Sequence, residues 1–285
     1  MPNQSNKNPY LIDSHAHLSF QAYGSNRREV IDEALEQKIW FIGIGSNFQT
    51  SRQAVELAQD YSLGVYASIG VHPIHVYNED FDRDCLLDLA RNNEKVVAIG
   101  ETGLDYYHIF NHAGKLKQSN LKPEVIKGKQ KQVFSNHLDL ARLLNLPLIL
   151  HCRSHLDNDA HQDLLEMLTQ YKARYNDFDL RGVIHCYTGG IAIAKRYLEL
   201  GFYLGFTGII TYSQSYDKLL KFLPMERILI ETDSPFLTPE PYRDETNQPN
   251  YVELVAEKVA QVKALKLDQV AQETVRTTIK LFDLN

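Results

Sequence analysis

Residues 147–153 read Pro-Leu-Ile-Leu-His-Cys-Arg. Leu148, Ile149 and Leu150 follow one another without a polar break, so both faces of a strand here would meet apolar surroundings. A strand of that kind belongs to a parallel sheet covered by helices, because a sheet with one wet face alternates polar and apolar residues instead. The run then ends on His151, an imidazole that no core requires.

The pattern repeats along the chain. Apolar, β-rich runs stand at 11–17, 39–46, 64–72, 96–101, 148–152, 182–187, 202–207 and 228–232. Amphipathic stretches at 28–37, 51–61, 86–93, 130–144, 164–171, 191–200 and 216–223 separate or follow them. Eight strand–helix units in one chain predict a (β/α)8 TIM barrel, occupying residues 1–285 as one domain. Two further helices, at 251–264 and 267–282, complete the C-terminus. The one long irregular stretch, 106–128, is rich in Lys, Asn, His and Gly.

Bulk composition narrows the function. The 285 residues are 44% hydrophobic and 23% charged, as in an ordinary globular chain. With a net charge of -6 and a pI near 6.0, the protein would not hold nucleic acid by general electrostatics. Contact with a polyanion would have to be local. Three cysteines, Cys85, Cys152 and Cys186, form no CxxC pair and fit a reducing cytoplasm. The polar first ten residues are not a signal peptide, and no run approaches the ~20 apolar residues of a membrane span. A cytoplasmic protein without membrane contact is expected.

The strand ends carry the chemistry. His15 and His17 (LIDSHAHL) lie two apart and would share a face of the first strand. His72 ends the third run, Glu101 the fourth, His151 the fifth and His185 the sixth, while Asp233 follows the eighth. Each alone has a structural explanation, such as a hydrogen-bonded core histidine or a turn-capping aspartate. In a barrel, however, these C-terminal ends converge on one face. His15, His17, His151 and His185 with Glu101 and Asp233, from five strands meeting there, make a divalent-cation site. Such ligands suit Zn²⁺ or Mn²⁺ by softness, and Mg²⁺ less well.

LIDSHAHL, GVHP, IGETGLDYY, PLILHCR, HCYTGG and ETDSPFL, in that order, resemble the signature segments of TatD-type metal-dependent deoxyribonucleases, which are amidohydrolase-like barrels. The resemblance runs from Leu11 to about Pro249. It implies a two-metal phosphodiesterase acting on DNA, often as an exonuclease, with Mg²⁺ able to support activity. Carried over residue by residue, it implies His15, His17 and Asp233 on one ion, His151 and His185 on the other, and Glu101 bridging them. Departures fall around the substrate path: Ser19 replaces an acidic or amide residue, and His155 a small one. The usual basic run after strand eight reads Arg243-Asp244-Glu245-Thr246-Asn247.

The resulting expectation is a metal-dependent hydrolase of DNA phosphodiester bonds, a 3′–5′ exonuclease on single-stranded ends. Asp233 would steer the attacking water and take its proton. Arg153 and Arg243 would receive phosphate, and His72 would be a phosphate contact or general acid. Tyr106 and Tyr107 would stack on a base or simply pack. Lys115, Lys117, Lys122, Lys127, Lys129 and Lys131 would form either a solvated face or a substrate-facing lid. His75, His108 and His112 are expected on the surface, and Cys152 and Cys186 in packing, turned from the site. A metal-dependent amidase, lactonase or deacylase, including one acting on aminoacyl-nucleotide or tRNA, is the alternative for the same ligands. A barrel that has lost its chemistry is a third possibility, against which the intact ligand set argues. A monomer is expected.

Overall fold

The structure is a computed structural model that describes residues 8–111 and 121–284. Eight strands lie in the order β1 to β8, each pairing in parallel with the next. They are β1 Leu11–Ala16, β2 Ile39–Ile44, β3 Val65–Ile69, β4 Val96–Asp105, β5 Leu148–Arg153, β6 Gly182–Ile184, β7 Tyr203–Phe206 and β8 Ile228–Ile230. The ring closes just past β8. Asp233 N donates to His15 O at 2.9 Å and His17 N to Ser234 O at 2.7 Å. The (β/α)8 barrel is therefore as expected, with strand ends displaced by a few residues.

Helices cover the outside: α1 Arg27–Glu36, α2 Phe48–Gln59, α3 Arg83–Arg91, α4 Tyr106–Phe110, α5 Pro123–Leu144 and α6 Ala160–Arg174. Then come α7 Ile191–Leu200, α8 Ile209–Tyr212, α9 Asp217–Phe222, α10 Val252–Lys263 and α11 Leu267–Phe282. One apolar core lies between sheet and helices. A second fills the lower lumen with Ile12, Trp40, Ile42, Tyr66 and Tyr203, and Leu281, Phe282 and Leu284 pack into it from α11 and the residues beyond. The lumen is thus solid at its N-terminal end, and open space remains at the C-terminal mouth.

The irregular stretch is shorter than the sequence indicated. Asp105 caps α4 by accepting from His108 N, and Pro123 starts α5 in its first turn. Lys127 therefore lies on a helix rather than in the irregular stretch, Lys129 and Lys131 follow on the same helix, and Lys122 stands at its N-cap position. Lys127 sits over the Tyr106 ring, 4.7 Å from its centre, and Lys131 pairs with Asp163 at 2.9 Å. His112, Lys115 and Lys117 lie outside the described residues. Among the described residues no helix is long and apolar enough to cross a membrane.

Candidate metal centre

The register of β1 against β2 shifts between Asp13 and Ala16, where the strand passes from apolar packing to the buried His15 and His17. A second shift, between Ile99 and Thr102, accompanies Glu101 on β4. The two irregularities face the same space. His15 Nε2 lies 3.2 Å from His17 Nε2, and 3.5 and 3.6 Å from Glu101 Oε2 and Asp233 Oδ1. His17 Nε2 lies 3.6 and 3.4 Å from the same two oxygens. Donors about 2.1 Å from a cation stand roughly 3.4 Å apart in a tetrahedral shell, so this quartet has the spacing of ligands.

The other oxygen of Glu101 faces a different group. Oε1 lies 3.2 Å from His151 Nδ1 and 3.4 Å from both His72 Nε2 and His185 Nε2. Glu101 is 3% exposed, and its two oxygens are turned to two sets of imidazoles. His185 also stacks on His15 at 3.6 Å and joins the sets. The fit to divalent cations is therefore good on donor type and spacing alike.

A ring of buried carboxylates holds the imidazoles. Asp105 accepts from His151 Nε2 at 2.9 Å and from His108 Nδ1 at 2.6 Å. Glu231 accepts from His185 Nδ1 at 3.1 Å and from Ser14 Oγ at 3.3 Å. Asp13 accepts from His15 N at 3.1 Å and Thr232 N at 2.8 Å, tying β1 to the segment after β8. Gly205 gives Glu231 its room, since a Cβ there would come within 2.5 Å of the carboxylate. His15 and His17 are held instead by stacking, on His185 and on Phe20 at 4.7 Å.

Electrostatics follow these contacts. Burial works against the Glu101 carboxylate, but His72, His185 and His15 hold it well below the usual range. Burial lowers His15, and lowers His72 to about 4. His151 is pushed up to about 9, because Asp105 and Glu101 outweigh its desolvation. His185 rises to about 10, with Glu231 and Glu101 outweighing the same penalty. Asp13, fully desolvated, is pushed up to about 8.

A cavity of about 650 Å³ opens above these groups. Arg153 lines it, with its guanidinium stacked on the Tyr107 ring at 3.7 Å. Arg243 does not: it stacks on Tyr212 at 3.8 Å and donates to Thr238 O at 2.9 Å. Tyr106 packs in the core, while Tyr107 supports Arg153. Cys152 is buried in the core as expected, yet both it and the half-buried Cys186, beside Thr207, line the cavity rather than turning from it. His108 is no simple surface residue, since it bonds the buried Asp105, and His75 lies on the cavity wall. Asp105, Glu231 and Asp13 escaped the sequence reading. The signal for Glu231 was its place directly behind the apolar run of β8, two residues before Asp233.

Residues 12–283 match the family model described as TatD related DNase. The chain belongs to the TatD family. It is 34% identical over 278 residues to the metal-dependent hydrolase YabD of Bacillus subtilis, covering 96% of this chain and all of the relative. It is also 34% identical over 282 residues to the metal-dependent hydrolase YcfH of Escherichia coli, covering 97% of each. Among solved structures, the TatD homologue YJJV of Escherichia coli superimposes with a TM-score of 0.80 at 24% identity, covering 97% and 99% of the two chains. A TatD family hydrolase of Entamoeba histolytica superimposes with a TM-score of 0.78 at 22% identity, covering 96% and 98%. These likenesses confirm the barrel, and with the family match they make this TatD protein a metal-dependent hydrolase.

Proposed function

We propose that this protein is a two-metal phosphodiesterase that removes nucleotides from single-stranded DNA ends in the 3′–5′ direction. The observation that supports it most is the division of Glu101, with one oxygen toward His15 and His17 and the other toward His72, His151 and His185. In this reading His15, His17 and Asp233 hold one cation, His151 and His185 hold the second, and Glu101 bridges them. His72 stands close enough to Glu101 to join the second set, or to meet the substrate phosphate. The DNase name of the family model agrees with a nucleic-acid substrate.

Divalent cations held there, whether Zn²⁺, Mn²⁺ or Mg²⁺, would supply an acidified water and polarise a phosphoryl oxygen. Asp233, with its side chain 15% exposed, reaches both the quartet and the cavity, and takes the proton of the attacking water. Asp105 and Glu231 fix the rings of His151 and His185, so that their donor atoms stay aimed at Glu101. Arg153, held flat on Tyr107, presents its free edge to a phosphate oxygen in the cavity. The free cysteines fit a reducing cytoplasm.

One observation favours the second reading, an amidase, lactonase or deacylase. Arg243 stands outside the cavity, and among the described lining residues Arg153 is its only Lys or Arg. A 3′-labelled and a 5′-labelled single strand, incubated with each metal and with chelator, decide between the two. Stepwise shortening from the 3′ end supports the nuclease. An intact strand under every metal, with turnover of an ester or amide, supports the alternative.

A further inference from the structure

The main cavity does not end at the metal-site residues. A side cavity of about 400 Å³ adjoins it, and the two share Phe20, Ser46, His75 and Phe236 in their walls. The two cavities differ in chemistry. The main one carries the carboxylates, the histidine cluster and Arg153, whereas no Asp, Glu, Lys or Arg lines the side one among the described residues. Its polar wall is mostly amides and hydroxyls, with Gln49 and Gln53 from α2 and Gln21 from the turn after β1, and His75 is its one titratable side chain among the described residues. Phe236 forms its lip. That ring is 51% exposed and makes T-shaped contacts with Phe20, ring centres 5.9 Å apart, and with His17 at 6.3 Å, so its exposed half is open to a planar partner.

Such a wall suits a planar, uncharged group that offers hydrogen-bond donors and acceptors along its edge. A phosphate would find no Lys or Arg there among the described residues. A nucleobase finds a ring to stack on and amides that both donate and accept. From these features we infer that the side cavity is a nucleobase subsite. It takes the base next to the scissile phosphodiester, with Phe236 as the stacking platform and Gln53 reading the base edge. The inference rests on the phosphodiesterase reading for its substrate, and it adds where the base goes.

The test is a binding measurement in chelator, where no cleavage interferes, with a cleavage assay beside it. The probes are a fluorescent tetrathymidylate and a strand of the same backbone and charge in which every base is replaced by an abasic tetrahydrofuran. The wild-type protein should bind the thymidylate about tenfold more tightly than the abasic strand, the scale of one base stacked on one ring. Phe236→Ala should bind both strands alike, at the affinity wild type shows for the abasic one, and Gln53→Ala should lose part of the preference. Equal binding of the two strands by wild type, or a preference that survives Phe236→Ala in a normally folded variant, overturns the subsite. Failure of the parent reading looks different. Wild type would then prefer the thymidylate in chelator yet leave it uncut with every metal, which keeps the base subsite and discards the DNA hydrolysis.

Discussion

The two ends of the barrel lumen are built on opposite principles. At the N-terminal end, Trp40, Tyr66, Tyr203 and Phe282 fill the space with large, mainly apolar rings packed in one cluster. At the mouth, Glu101, Asp13 and Glu231 are equally hidden from water and are satisfied only by histidines, hydroxyls and backbone amides. Burying charge costs folding free energy that pairing barely offsets. The base of the barrel therefore stabilises the fold, and the mouth spends part of that stability on the residues proposed to hold cations. The contrast says which substitutions should silence the enzyme and which should unfold it.

The largest effect belongs to Glu101→Ala. It should lower kcat/KM by at least about a thousandfold, on the order of 4 kcal/mol of transition-state stabilisation, while thermal unfolding stays cooperative. A variant that keeps turnover would show that Glu101 does not join the two donor sets. At the other end, Phe282→Ala should cost roughly 3–5 kcal/mol in urea unfolding and leave kcat of the folded fraction unchanged. Loss of activity without loss of stability there would break the division between the ends.

His137 tests the wall between them. It is fully buried, accepts from Val71 N at 3.0 Å, and is lowered to about 4 by desolvation. Its folded pKa lies below the unfolded value near 6.5, so the native state favours the neutral ring. The stability it contributes is present above pH 6.5 and is lost as the pH falls from 6.5 toward 4, up to about 3 kcal/mol. Urea melts at pH 7 and pH 4.5 should thus diverge less for His137→Gln than for wild type. Identical divergence would remove His137 as a cause. The smallest effect is at the carboxylates behind the imidazoles: Asp105→Asn and Glu231→Gln should each weaken metal binding or activity by about 10–100-fold. Metal titration followed by calorimetry reads this, and unchanged affinity would make these carboxylates mere packing.

The base of the barrel was easy to read in the sequence, and the mouth only partly so. Strands buried on both faces declare themselves as unbroken apolar runs, such as Leu148 to Leu150, and the ligand-type residues end those runs. What joins them is not local. Glu231 meets His185 across 46 residues, and Asp105 meets His151 across the same separation, so no window of sequence contains either pair. Asp105 was hidden further because GETGLD carries two glycines and reads as a turn, although β4 continues through it. Arg243 was misplaced for the converse reason: its motif position is kept, but its guanidinium has found Tyr212 and a carbonyl instead of the cavity. The first turn of α5 looked like loop because lysines surround it, yet Pro123 marked its start.

The central claim is that Glu101 joins two cation sites, and native mass spectrometry of the metal-loaded protein tests it most directly. Two divalent ions per wild-type chain, falling to one or none in Glu101→Ala together with the loss of single-strand hydrolysis, is the predicted result. A wild-type chain that never takes more than one ion, or a Glu101→Ala chain that keeps two, would contradict it.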